Sequence, residues 1–89
     1  MKVLKITAVW CPACIVMNLR WAKIVKELDW IEVEEYDYDA DTEIKFKYNI
    51  GKDIPVFIFL NKEGNEIERL QGEIDRREMI KLLEEYRNK

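Results

Sequence analysis

The apolar positions of this chain follow two different spacings, and each change of spacing marks an element. Residues 3–9 are mostly apolar and β-branched, which predicts a largely buried strand. From residue 12 to about residue 28 the apolar positions recur at helical spacing, with Pro12 suited to the first turn and Cys11 to the N-cap. The expected inner face of this helix consists of Met17, Trp21, Ile24, Val25 and Leu28.

Five further elements are predicted downstream. They are a strand at residues 31–38, a short helix capped by Asp39 or Asp41 and running through Tyr48, strands at residues 56–60 and 66–70 joined by a hairpin, and a last helix after Asp75. The order is β-α-β-α-β-β-α, so parallel pairing is expected first and a hairpin afterwards. This order predicts an α/β fold in which a four-stranded mixed sheet is flanked by three helices. At 89 residues, we expect residues 1–89 to form a single domain.

Charge and hydropathy exclude several classes of function. The net charge is −3, from 15 basic and 18 acidic residues, and it offers no basic surface for nucleic acid. The longest apolar run, residues 54–60, is far shorter than the roughly 20 residues that cross a bilayer. The first residues are interrupted by charge too soon for a secretory signal. We therefore expect a cytoplasmic protein that binds neither nucleic acid nor membrane.

The absence of histidine removes every mechanism that needs imidazole, including Ser-His-Asp hydrolysis and mixed Cys/His zinc sites. Proton transfer in this chain must therefore fall to a carboxylate, a lysine or water. Seven acids and no base lie between Glu32 and Glu43, which is typical of a solvated strand edge and helix start.

The two cysteines carry the chemistry of the sequence. Cys11 and Cys14 would close a loop too short to stabilise a fold, so the pair points to redox chemistry or metal. Cys11 lies where a buried strand meets a helix N-terminus, and the free N–H groups and helix dipole there favour a thiolate. Cys14, three residues on, is placed to resolve a mixed disulfide. Two alternatives remain open, namely buried small side chains and half of a metal site completed by another chain.

The segment Trp10-Cys11-Pro12-Ala13-Cys14 resembles the WCxxC centre of the thioredoxin superfamily, and nearly the whole chain follows that family's minimal plan. Ile54-Pro55 ahead of an apolar strand is the second match. The resemblance implies that Pro55 is cis and packs against the cysteines, that the backbone of Ile54 pairs with substrate, and that Gly72 lies close to the site.

The chain departs from the thioredoxin pattern between the two cysteines. Thioredoxins usually have Gly-Pro there, whereas Pro12 takes the first position, as in glutaredoxins. Ile54 stands where glutaredoxins place Thr-Val ahead of the proline, and Gln71-Gly72-Glu73 replaces their Gly-Gly-x-Asp segment. The redox potential can therefore be copied from neither group.

A second departure concerns charge. Thioredoxins carry a buried acid five residues before the motif tryptophan and a lysine near it on the neighbouring strand. The same count in this chain gives Lys5 for the acid and Glu35 for the lysine. We expect these two to form an ion pair beneath the active site, with Glu35 accepting the proton of Cys14. The alternative is that Glu35 is one more solvated acid and Lys5 reaches water.

The resemblance implies a dithiol-disulfide oxidoreductase that reduces protein disulfides. Cys11 would attack the substrate disulfide and Cys14 would release the product, without an organic cofactor or metal. A flavoprotein thioredoxin reductase would be the electron donor of a monomer whose substrate surface comprises Trp10, Pro12, Ile54, Pro55 and Gly72. The alternatives are a glutathione-linked or oxidising variant and a non-catalytic binding module that, as a dimer, could share a metal.

Overall fold

The computed structural model describes residues 1–89 and contains the seven predicted elements in the predicted order. The strands are β1 (Lys2–Thr7), β2 (Glu32–Asp37), β3 (Val56–Leu60) and β4 (Glu66–Gln71). The helices are α1 (Pro12–Glu27), α2 (Thr42–Lys47) and α3 (Arg76–Tyr86). None of the three helices combines the length and the apolar content that crossing a membrane requires.

The strands form one sheet in the order β2-β1-β3-β4. β1 pairs with β2 in parallel, and β3 pairs with both β1 and β4 in antiparallel fashion. One face packs against α1 and α3 around Trp21, Phe57 and Leu83, while the other packs against Ile44 and Tyr48 at α2. The prediction of a mixed four-stranded sheet flanked by three helices is confirmed.

Helix α1 begins as its sequence predicts. Cys11 is the N-cap residue and Pro12 follows in the first turn, where its missing N–H costs no hydrogen bond. Met17, Trp21 and Ile24 are buried against the sheet. Val25 was expected on this inner face but lies at its margin, where it is partly exposed beside an open cleft.

The first strand ends earlier than predicted. Its pairing with β2 stops at Thr7, which lies opposite Asp37. The chain then turns, and the N–H of Cys11 donates to the carbonyl of Ala8 over 3.3 Å. Val9, expected in the buried strand, is 87% exposed on this turn. The turn brings Cys11 from the end of β1 to the start of α1.

The shorter helices differ in their capping. The Asp75 carboxylate accepts from the N–H of Arg77 over 3.2 Å and caps α3 as predicted. Asp41 precedes α2, but its carboxylate accepts instead from the N–H of Asp37 over 2.7 Å. The side chain of Asp41 therefore closes the loop after β2 and does not cap the helix.

Strand β2 is one edge of the sheet and carries much of the acidic stretch. The ammonium of Lys2 lies 3.5 Å from the carboxylates of both Glu32 and Glu34. Nearby carboxylates raise the pKa of Lys2 above its ordinary value, with Glu34 contributing most. One cation thus faces two acids at the start of this edge.

Candidate active site

The two cysteines lie at the N-terminus of α1 and are both free thiols. The backbone N–H of Cys14 donates to the sulfur of Cys11 over 3.2 Å, so the first sulfur itself caps the helix. A backbone N–H group and the positive end of a helix both stabilise negative charge that develops on a nearby sulfur during an exchange reaction. This arrangement favours Cys11 as the nucleophile of the pair.

Cys14 is fully buried, packed with Ala8 and Cys11. Burial raises the pKa of Cys14 to about 11, and the neighbouring Cys11 sulfur adds to the rise. The backbone of Ala8 and the ammonium of Lys5 oppose it. The inner thiol is therefore protonated at neutral pH and needs help to become a nucleophile.

Trp10 forms the exposed side of the site. Its Nε1–H donates to Asp39 over 2.7 Å, and its ring meets Tyr38 edge to face at 6.2 Å between centroids. The indole therefore stands in a fixed orientation beside Cys11 while 58% of the residue remains exposed. An apolar ring held in this way can contact a partner protein without first being ordered.

The loop before β3 completes the site. The Ile54-Pro55 peptide bond is cis, and the carbonyl of Ile54 lies 3.8 Å from the sulfur of Cys11. Gly72 follows β4 with a φ of +85°, and its N–H donates to the carbonyl of Pro55 over 2.9 Å. Residues that are far apart in sequence thus meet next to the first cysteine.

Lys5 and Glu35 also meet. They are directly opposite one another across β1 and β2, and Nζ of Lys5 lies 2.5 Å from Oε1 of Glu35. Together with Trp21 they line a cleft of about 500 Å³ between α1 and β2. The Nε1–H of Trp21 is buried without a hydrogen-bond partner in the protein. The two members of the pair differ in burial, because Lys5 is 4% exposed whereas the Glu35 side chain is 68% exposed.

No group of three or more Cys, Asp or Glu side chains is arranged to hold a metal ion. The thiols of Cys11 and Cys14 therefore have no further protein ligands beside them within this chain. Two adjacent thiols can exchange electrons with a disulfide without any bound group.

The structure brings the predicted residues together in two places. At the first place, Trp10 and Pro12 flank Cys11 in the chain, and Ile54 packs against it. Pro55 follows Ile54, and its carbonyl accepts from the N–H of Gly72. At the second place, Lys5 pairs with Glu35 further along the sheet. Sequence reasoning missed Asp39 and Tyr38 as the partners of Trp10. No spacing rule connects them, because the contact depends on where the loop after β2 folds back.

Comparison with known proteins gives one family. A family model described as Thioredoxin matches residues 1–86. Among curated relatives, Glutaredoxin-3 of Mus musculus is 32% identical over 65 residues, which is 73% of this chain but 19% of that protein. Thioredoxin of Chlamydia muridarum is 28% identical over 79 residues, covering 89% of this chain and 76% of that protein. The chain thus matches less than a fifth of the glutaredoxin and most of the thioredoxin.

Solved structures show the same fold. Thioredoxin-2 of a malaria parasite superposes with a TM-score of 0.87 at 24% identity, covering 96% of this chain and 82% of that one. Thioredoxin 1 of the thermophilic eubacterium Thermosipho africanus superposes with a TM-score of 0.82 at 27% identity, covering 97% and 93%. The cysteine pair therefore lies in a fold that thioredoxins share.

Proposed function

Because the chain belongs to the thioredoxin family, we propose that it is a thiol-disulfide oxidoreductase that reduces disulfides in other proteins. Family membership supports a thioredoxin-like redox function in general. The observation that carries the finer proposal is the 3.2 Å hydrogen bond from the Cys14 N–H to the Cys11 sulfur. It supports Cys11 as the attacking sulfur, and Cys14 lies within one helical turn of it.

The reaction proceeds in two exchanges. The Cys11 thiolate attacks one sulfur of the substrate disulfide, and the substrate's other sulfur leaves with the electron pair and takes up a proton. Cys14 then loses its proton and attacks Cys11, which forms the Cys11-Cys14 disulfide and breaks the bond to the substrate. The second substrate sulfur also takes up a proton, so the substrate has gained two electrons and two protons. The protein pair has lost two electrons and the proton of Cys14, and water supplies the other proton because Cys11 begins as a thiolate. An upstream donor restores the dithiol.

An apolar surface beside Cys11 supports a protein as the substrate. Val9, Trp10 and Ile15 are all exposed there, and Pro12 lies among them. Large apolar side chains grouped on a surface commonly mark contact with another protein. The position of the Ile54 carbonyl near the Cys11 sulfur would let an extended substrate pair its backbone with that loop while its disulfide lies at Cys11.

The electron donor is part of the proposal. We infer a flavoprotein reductase of the thioredoxin reductase kind, acting on a monomer in the cytoplasm, where thiols are kept reduced. Glutathione is the runner-up donor, favoured by Pro12 in the first intervening position and by the match to a glutaredoxin. An oxidising variant of the same site would differ from a reducing one only in the reduction potential of the Cys11-Cys14 pair.

Insulin reduction with two separate donor systems tests the proposal. The protein is assayed with NADPH and thioredoxin reductase, and in parallel with glutathione and glutathione reductase, while the Cys11-Cys14 potential is titrated against a redox buffer. Turnover with the first system alone supports the proposal, and turnover with glutathione supports the runner-up. If neither donor system supports insulin reduction and the protein binds stoichiometric metal, the protein is a non-catalytic module. The variant Cys11→Ser is the matched control and is expected to be inactive with both systems.

A further inference from the structure

A short loop, residues 72–75, joins β4 to α3 and begins at the active site. The N–H of its first residue, Gly72, donates to the carbonyl of Pro55 over 2.9 Å. The preceding carbonyl, that of Ile54, lies 3.8 Å from the sulfur of Cys11. The start of the loop is therefore connected to the attacking sulfur through the segment that precedes β3.

Further along the loop, both backbone groups of Ile74 bond to side chains of α1. The N–H of Ile74 donates to Sδ of Met17 over 3.3 Å. Nη1 of Arg20 donates to the carbonyl of Ile74 over 2.8 Å and also lies 3.8 Å from Sδ of Met17. Met17 is fully buried and Arg20 is partly buried. The loop is thus hydrogen-bonded to α1 through one residue.

These bonds serve backbone groups that lie outside the neighbouring elements. The loop follows the last pair of the β3-β4 ladder, Val56 with Gln71, and precedes the first turn of α3. Backbone N–H and C=O groups that leave water need partners, and here α1 provides both. A thioether is a weak acceptor, whereas a guanidinium makes a strong, charge-assisted bond to a carbonyl. Arg20 therefore makes the stronger of the two contacts.

The guanidinium of Arg20 is used for this contact and not for an ion pair. Arg20 belongs to none of the salt bridges of the protein. It reaches instead a backbone carbonyl that is 54 residues away in sequence. Ordering a long side chain costs conformational entropy, so this position differs from that of an arginine left in water.

The loop is linked to the attacking cysteine by two routes. One route runs from Gly72 through Ile54-Pro55 to the sulfur of Cys11. The other runs from Ile74 to α1, whose N-cap residue is Cys11. Because Gly72 and Ile74 are two residues apart, a shift at one of them has to be accommodated at the other.

We propose that Met17 and Arg20 are positioning residues that hold the loop against α1. Through the loop they fix Gly72, one side of the substrate surface, relative to Cys11. The inference rests on the proposed function, because a protein substrate would lie on the surface that these residues fix. Met17 and Arg20 take no part in the exchange of electrons and act through the loop alone.

Amide hydrogen exchange, followed by NMR in the reduced protein, tests the inference without an assay of activity. Arg20→Met removes the charged donor and keeps an apolar side chain, so exchange at the Ile74 amide should accelerate about tenfold or more. If the loop moves as one unit, exchange at the Gly72 amide accelerates by a similar factor. Faster exchange at Ile74 alone, or at neither residue, overturns the inference.

Three further variants separate the contact from charge and from packing. Lys23→Met removes the same charge from an exposed position of α1 and should leave both amides unchanged. Arg20→Lys keeps a charged donor and should restore part of the protection. Met17→Leu keeps a similar volume in the core and removes the weaker acceptor, so it should accelerate exchange by a smaller factor. Equal acceleration by Lys23→Met and Arg20→Met overturns the inference, whether or not Met17→Leu folds.

Steady-state kinetics with insulin measures the consequence for recognition. A loop that must be ordered on binding weakens binding, so Arg20→Met should raise KM about threefold to tenfold while kcat changes less. Arg20→Lys should lower KM again, and Lys23→Met should match the unmodified protein. Faster exchange at both amides with an unchanged KM overturns the inference. If the unmodified protein reduces no insulin, the proposed function fails, and the exchange rates still decide whether Arg20 holds the loop.

Discussion

The backbone N–H of Cys14 points at the sulfur of Cys11 from 3.2 Å away. In the proposed mechanism, the residue that would resolve the mixed disulfide is thus also the residue whose backbone N–H contacts the attacking sulfur. The two contributions come from different atoms of Cys14, so mutation of its side chain can separate them.

Replacement of Cys14 by serine should trap the substrate. Cys14→Ser keeps the backbone N–H and removes the second sulfur, so attack by Cys11 continues and release of the product stops. We expect a stable mixed disulfide with reduced turnover, measured by non-reducing electrophoresis after incubation with insulin. Cys11→Ser is the control and should trap nothing. Equal trapping by both variants would show that Cys11 is not the only sulfur that attacks the substrate.

Buried Cys14 should make the reduced protein lose stability in alkali. The unfolded thiol has its ordinary pKa of 9.0, whereas burial raises the pKa of the folded thiol to about 11. As pH rises the unfolded chain releases this proton first, so the contribution is complete below pH 9 and is lost towards pH 11. Its size is up to about 3 kcal/mol of unfolding free energy.

Urea denaturation of the reduced protein across this pH range checks the loss, with Cys14→Ala as the reference. Tyr36 and Tyr86 also have raised pKa values, from burial and a Glu68 hydrogen bond respectively, so both proteins will show some alkaline loss. The difference between them isolates Cys14. Parallel curves for the two proteins would show that the thiol is not held protonated by the fold.

Trp10 should contribute to recognition of protein substrates. Trp10→Ala removes the exposed ring and its hydrogen bond to Asp39, and we expect KM for insulin to rise about tenfold. A small aromatic disulfide, which has no surface to place on the ring, should react almost unchanged. Phe46→Ala is the matched control, since Phe46 is 86% exposed on α2 and should leave both substrates unaffected. An equal loss with both substrates would point to an altered Cys11 instead.

Gly72 should be sensitive to a single added methyl group for reasons of backbone conformation. A Cβ at Gly72 meets no atom within 4 Å, but the φ of +85° is unfavourable for alanine. Gly72→Ala should therefore cost about 1–2 kcal/mol of unfolding free energy. Gly51 has equal space and no positive φ, so Gly51→Ala should be neutral or stabilise by up to about 1 kcal/mol. Chemical denaturation of both variants makes the comparison, and equal costs would refute it.

Local chemistry was enough to predict much of the site. Helical spacing placed α1, and a cysteine followed by proline at a strand-to-helix junction predicted the N-cap that the structure shows. The resemblance of Trp10-Cys11-Pro12-Ala13-Cys14 to the WCxxC centre predicted the thioredoxin fold, which is confirmed. These features depend on residues that are neighbours in sequence, where periodicity and capping rules apply.

Features that depend on strand pairing and on how α1 covers the sheet could not be predicted to the same extent. Residue counting brought Lys5 and Glu35 together, but which of them is buried depends on how α1 covers the sheet. Val9 continues an apolar run and yet is exposed, because β1 ends with its partner and the chain must turn towards α1. Val25 lies at the margin of its helix face, beside the cleft between α1 and β2.

The position of β2 at the edge of the sheet gives the acidic stretch a consequence for self-association. A free strand edge offers unpaired backbone groups to a second chain. Glu32, Glu34 and Glu35 lie along this edge, and a second copy that paired with it in the same way would set carboxylates against carboxylates. Dissolved salt screens the repulsion between exposed charges. High ionic strength is therefore the condition under which this strand would most readily add to another copy of itself.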